Sequence, residues 1–251
     1  TPEISRLAMP QLLLITEDII DDELRRAKEA VAAHRALAAD GNLGVGQTVL
    51  TRFYRDAAAE GLEFVLELLS LTGSLSDFDL IRASLAFANP RDRANAIETI
   101  QQSCSRVLFQ RICELIEATV PGSGLQASVN VTQSVESVLR RAATSNIALE
   151  ASAGLVAFRE RGIDGGFELL RARLDRADAG RINEWLIALL PRFVETEVDL
   201  ALAAHPVDRV AALVRAEFFS DARILALDYL AKHAIDRSWA AGEVVYDEDA
   251  A

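Results

Sequence analysis

The sequence predicts an all-α fold, a right-handed α-solenoid of stacked antiparallel helix hairpins, and three observations predict it. The first is a nine-residue pattern that occurs twice. Asn89-Pro90-Arg91-Asp92-Arg93-Ala94-Asn95-Ala96-Ile97 returns as His205-Pro206-Val207-Asp208-Arg209-Val210-Ala211-Ala212-Leu213, 116 residues further on. That offset is close to three units of about 39 residues, the length of a two-helix repeat of the HEAT type. The second is periodicity: apolar residues recur at helical spacing throughout, and no stretch alternates with period two. The third is composition. Hydrophobic residues make up 51% of the 251, aromatics 6%, and there are six prolines, which suits a large core of Ala/Leu-rich helices.

The elements follow in order. Asp18–Ala39 reads as one long amphipathic helix, with Ile19, Ile20, Leu24, Ala27, Val31 and Leu37 on its stripe, ended by Asp40-Gly41-Asn42. Thr48–Gly73 follows, with Gly61 inside it and Phe64, Leu66, Leu68 and Leu69 packing. Ser76 or Asp77 caps a helix that runs to Ala88. Pro90–Ser103 and Ser105–Ala118 come next, then the loop Pro121-Gly122-Ser123-Gly124. Further helices are expected at 132–144, 146–161, 164–174, 180–190, 195–204, 206–219 and 221–234, joined by the short connections that antiparallel hairpins use. The reading is one domain over 1–239, with long N-terminal helices at 11–73 and repeats at 76–235. An acidic, aperiodic tail at 240–251 completes it.

The repeated pattern has a physical logic. Pro90 and Pro206 suit the first helical position, where the missing N–H would be unpaired anyway. Asn89 is a good N-cap, and His205 a poorer one. Asp92 and Asp208 place negative charge in the first turn, favourable against the helix dipole. Arg93 and Arg209 follow at the same place in both copies. The small residues Ala94, Ala96, Ala211 and Ala212 allow a neighbouring helix to come close.

Over Glu63–Glu117 there is a more specific likeness, carried by Phe64-Val65-Leu66-Glu67-Leu68-Leu69-Ser70-Leu71, Asp79-Leu80-Ile81-Arg82 and Arg93-Ala94-Asn95-Ala96-Ile97-Glu98. Together with Asp22-Glu23-Leu24-Arg25-Arg26 upstream, these runs resemble the HEAT-like segment of bacterial membrane proteins. Those proteins join an ATP/ADP-carrier-like transporter region, HEAT repeats and a cyclic-nucleotide-binding domain in one polypeptide. The resemblance spans roughly residues 11–120 and implies a cytosolic HEAT-like module, membrane-associated through a fused or partner transporter domain. Transport and cyclic-nucleotide binding do not carry over: the sequence has neither transporter helices nor the phosphate-cassette signature.

Charge narrows the partners. The 38 acidic residues outnumber the 26 basic ones, for a net charge of −12. Such a surface repels phosphate backbones and anionic lipid, so neither nucleic acid nor direct membrane insertion is expected. Lys28 and Lys232 are the only lysines, an arginine skew that fits a GC-rich bacterial genome. Cys104 and Cys113 lack a Cys-x-x-Cys or histidine partner at metal-ligand spacing, and read as buried free thiols of a reducing cytoplasm.

Candidate chemistry is sparse. Gly41-Asn42-Leu43-Gly44-Val45-Gly46 resembles a phosphate loop, but lacks a preceding strand and a Gly-Lys-Ser/Thr, so a linker is the preferred reading. Asp18/Asp21/Asp22/Glu23 could hold Mg²⁺ only with a second acidic cluster facing it, so an acidic first helical turn is preferred. His34, His205 and His233 suggest no triad. Arg181, Glu184 and Trp185 form the one polar-aromatic group of the kind enriched at binding hot spots, with Arg192, Arg209 and Arg215 nearby. The expected function is therefore a non-catalytic scaffold or regulatory module that binds a protein partner or neighbouring domain, with no cofactor and no metal. The alternative is a HEAT-repeat enzyme or ligand-binding protein such as a DNA-lesion glycosylase, which the negative charge disfavours.

Overall fold

Small residues decide which helices of this protein meet. The computed structural model describes residues 2–41, 44–86, 89–119, 133–175, 186–190, 193 and 205–234, with side chains in the first helix from residue 16 onward. The described residues form α1 (Pro2–Asp40), α2 (Val45–Leu71), α3 (Phe78–Ala86), α4 (Pro90–Ser103), α5 (Arg106–Thr119), α6 (Val135–Ala143), α7 (Ala148–Glu160) and α8 (Gly166–Leu174). A helical stretch at 186–190 (α9) follows, then α10 (Pro206–Arg215), a single 3-10 turn (Glu217–Phe219) and α11 (Ile224–His233). No strand occurs among them, so the all-helical class holds.

Two helices are central. Residues 149–158 of α7 are all buried, because Ala151, Ser152, Ala153, Gly154 and Ala157 are small enough for neighbours to pack on several sides. Helix α2 lies against α1, α3, α5, α7, α10 and α11. A Cβ on Gly46 would come within 2.4 Å of the Ala153 carbonyl and the Ala157 nitrogen, so this glycine sets the α2–α7 spacing. Gly154 does the same towards α6, where a Cβ would meet the Ala143 nitrogen at 2.6 Å. Gly61 faces Ala27 of α1, where a Cβ would meet the alanine methyl at 2.9 Å.

Sequence-adjacent helices are in contact: α1 with α2, α3 with α4, α6 with α7, and α10 with α11. The long-range contacts differ from those of a linear array, in which each repeat touches only its neighbours. Helix α2 also meets α7, α10 and α11, and α1 meets α5 and α6, so helices from both halves of the chain gather around α2.

Several local expectations change. Residues 206–219 are not one helix: α10 ends at Arg215, Ala216 is extended, and the 3-10 turn follows. Asp77 precedes α3 with φ +56°, a left-handed conformation uncommon outside glycine. Ile19 and Phe64, expected on packed faces, are exposed, since α1 and α2 bury neighbouring stripes instead. Val45 and Gly46 are already helical, so the glycine-rich segment is not a linker to its end. The predicted loop at 121–124, the helix at 195–204 and the tail at 240–251 lie outside the described residues.

Candidate functional site

Both copies of the repeated pattern begin helices. Pro90 opens α4, and the Asn89 side chain accepts from the Arg91 N–H at 3.0 Å while donating to Asp92 at 2.8 Å. Pro206 opens α10, and His205 proves a better cap than its residue type suggests. Its Nδ1 accepts from the Val207 N–H at 3.1 Å, and the Asp208 carboxylate accepts from the His205 N–H at 3.0 Å, a reciprocal capping box. An imidazole nitrogen carrying a lone pair serves as well as an amide oxygen when burial (4% exposed) fixes the ring. Arg93 is buried, and Arg209 donates to the Ala231 carbonyl of α11 at 3.3 Å. In both copies, therefore, the pattern residues start a helix and hold it in the fold.

The acidic group Asp18/Asp21/Asp22/Glu23 is not a first helical turn, because α1 begins at Pro2 and places it inside the helix, where three of the four carboxylates pair with arginines. Asp21 pairs with Arg111, Asp22 with Arg25 at 3.2 Å, and Glu23 with Arg26 at 3.6 Å. The glycine-rich segment leads into an anion site that the protein itself fills. Gly44 gives α2 no side-chain cap; instead the Glu160 carboxylate of α7 accepts from the Val45 and Gly46 N–H groups at 2.8 and 3.1 Å. A carboxylate thus sits where the helix dipole would favour a phosphate.

His34 donates through Nδ1 to the Thr51 carbonyl at 3.0 Å, and the His233 ring lies tilted against Tyr229 with ring centroids 4.5 Å apart. Cys104 and Cys113 are free and half-buried rather than fully buried. Burial and nearby Glu117 push the Cys113 thiol up to about 11, and burial also raises Cys104. Arg181, Glu184, Trp185 and Arg192 lie outside the described residues. Arg215 is exposed at the end of α10.

Two features that the sequence did not flag carry the site chemistry. The first is a cleft of about 510 Å³ between α1, α2 and the α6–α7 turn. Tyr54 on α2 donates to Glu150 Oε1 at 2.6 Å, and Ser145 donates to Glu150 Oε2 at 2.5 Å. Burial, then the adjacent Glu150 charge, raise the Tyr54 phenol far above its ordinary range, so it stays a donor. The Arg141 guanidinium lies 5.5 Å from the Tyr54 ring centroid. Arg173 of α8 braces the turn, donating to the Ser145 carbonyl at 2.6 Å.

The second feature is the mounting of α11. Asp56 of α2 accepts from Arg52 at 3.1 Å and from the Ile224 N–H, the first of α11, at 2.8 Å. Arg52 also donates to the Ala222 carbonyl, and Arg223 pairs with Glu63 at 2.5 Å and Glu60 at 3.4 Å. Ile224, Leu227 and Ala231 are buried beneath, while Leu225, Tyr229 and Leu230 face outward. The sequence signal was present, since α11 is apolar on more than one face, but its outer half could not be told from core. Comparison with protein-family models, curated proteins and solved structures finds no match to this chain.

Proposed function

We propose that this chain is a non-catalytic helical interaction module that engages a protein partner through the outer face of α11. The observation that carries this reading is the exposure of that face: Leu225 is 49%, Tyr229 64% and Leu230 44% exposed on a helix fastened to α2 by the hydrogen bonds that the buried Arg52–Asp56 pair makes to Ala222 and Ile224. Phe218, in the turn just before, is 89% exposed. Apolar surface of this kind on a rigid mount is characteristic of contact sites. In this reading the hairpins α3/α4, α6/α7 and α10/α11 are HEAT-like units wrapped on α2. The likeness of Glu63–Glu117 to the HEAT segment of transporter fusions fits a module working inside a larger assembly. The net charge of −12 continues to weigh against a DNA-binding enzyme.

The test is site-directed photocrosslinking in source cells with the probe at residue 225, comparing the unaltered chain with Tyr229→Ser/Leu230→Glu. The reading expects a discrete crosslinked partner that the double variant loses. Each substitution at these exposed sites should cost no more than about 0.5 kcal/mol of stability. Retention of the same crosslink by the folded variant would count against the surface.

A further inference from the structure

The turn from α2 into α3 carries an exposed surface of its own. Helix α2 ends at Leu71, and the Leu69 carbonyl accepts from both the Ser74 and the Leu75 N–H groups at 3.0 Å. Leu75 is buried, which pins the turn before α3 begins at Phe78. A cleft of about 470 Å³ lies between the end of α2 and the start of α3. Leu71 and Leu80 line it while 77% and 66% exposed, and Phe78 beside them is half-buried. Apolar side chains left this open at a preformed concavity are a contact surface without its cover.

The charge of this cleft is one-sided. Glu67, Asp77 and Asp79 line it, and no basic side chain does. The clefts beside Arg111 and beside Tyr54 differ, because there arginines share the lining with the carboxylates. Asp79 pairs with Arg82 at 3.6 Å, but at 90% exposure that pair is weakly held. Glu67 and Asp77 have no ion pair among the described residues. Nor do any three acidic, histidine or cysteine side chains among the described residues converge closely enough to hold a metal ion. The negative charge is therefore spread around the leucines rather than focused on a point. It suits cations spaced along a chain, and it repels anionic lipid and phosphate backbones.

We propose that this cleft docks a basic amphipathic helical segment of a partner protein. Aliphatic residues of the segment cover Leu71 and Leu80, and lysines or arginines about one helical turn away reach Glu67 and Asp77. The α11 contact is apolar and lies on another helix, so the two surfaces can be lost separately.

Fluorescence anisotropy on the full chain tests this, with a labelled helical peptide of Leu-Lys-Lys-Leu blocks and a counterpart carrying glutamate for every lysine. The lysine peptide should bind saturably and the glutamate peptide should not. Leu71→Ser/Leu80→Ser should weaken binding about tenfold or more, since the apolar cover is lost. Glu67→Gln/Asp77→Asn should weaken it about threefold or more; asparagine tolerates the left-handed backbone at residue 77. Removing the same charge beside α8, in Asp164→Asn/Glu168→Gln, should change binding less than about twofold, because distant surface charges are screened. Tyr229→Ser/Leu230→Glu should leave it in place. Thermal melting of each variant establishes that it is folded. The proposal is overturned if the lysine peptide shows no saturable binding, if either cleft pair leaves binding unchanged, or if the α8 pair weakens it as much as the cleft carboxylates do. A concentration-dependent dimer of the chain alone, lost in Leu71→Ser/Leu80→Ser, would also overturn it, in favour of a second copy as the occupant.

Discussion

At the scale of single residues, the structure turns on a few close approaches that composition alone does not reveal. Gly46 was readable only as part of a flexible or phosphate-binding segment; its role is to let the α7 backbone lie against α2. Gly46→Ala would force a methyl onto backbone atoms at 2.4 Å, and backbone cannot swing aside as a side chain can. The substitution should cost about 1–3 kcal/mol or more. Gly61→Ala, which meets a methyl at 2.9 Å, should cost less. Urea midpoints of the two variants check the order, and an unchanged midpoint for Gly46→Ala would contradict the crossing described. Cys113 offers a second check. Raising its pKa from 9.0 to about 11 favours the neutral thiol, so the thiolate appears only as pH climbs. At pH 8 it should alkylate roughly 100-fold more slowly than a thiol of pKa 9 with equal access, because the thiolate is the nucleophile. The rate should still be rising steeply above pH 10; a rate already flat by about pH 10 would mean that Cys113 lies open to solvent.

At the scale of elements, most of the helices were legible. Capping and periodicity are local signals, and α4, α5, α7 and α8 begin and end within two residues of expectation. The break after Arg215 was not legible, because Ala216 and Glu217 carry no breaker and the chain turns there for tertiary reasons. Nor was the clasp between α2 and α11, since Arg52 and Asp56 form an ordinary i,i+4 helical pair until the Ile224 N–H is brought to them. Asp56→Ala removes the acceptor for that N–H and leaves Arg52 buried without its carboxylate, a change expected to cost about 3 kcal/mol or more. Hydrogen exchange should show α11 amides losing protection first, with α1 and α5 less affected. Uniform loss across all helices, or none in α11, would be inconsistent with the clasp.

At the scale of the whole molecule, the repeated Pro-x-Asp-Arg pattern identified two helix starts but not their surroundings. Helix α4 lies against α3 and α5, whereas α10 lies against α2, α7 and α11. A repeat in sequence reports local geometry. The meeting of α2 with helices more than 100 residues away depends on Gly46, Glu160 and Asp56 together, and no window of sequence contains them all. The candidate cleft was hidden for the same reason, because Tyr54, Arg141 and Glu150 come from separate helices.

The Glu63–Arg223 contact reports whether the end of the chain closes onto α2. Glu63→Cys/Arg223→Cys, with Cys104 and Cys113 replaced by serine, can be treated with a short bifunctional maleimide and followed by peptide mass spectrometry. In the folded protein residues 63 and 223 should crosslink efficiently within one chain, and the crosslink should disappear in urea. A folded protein giving no such crosslink would contradict that closure, and would favour an extended array in which the last hairpin stands away from α2.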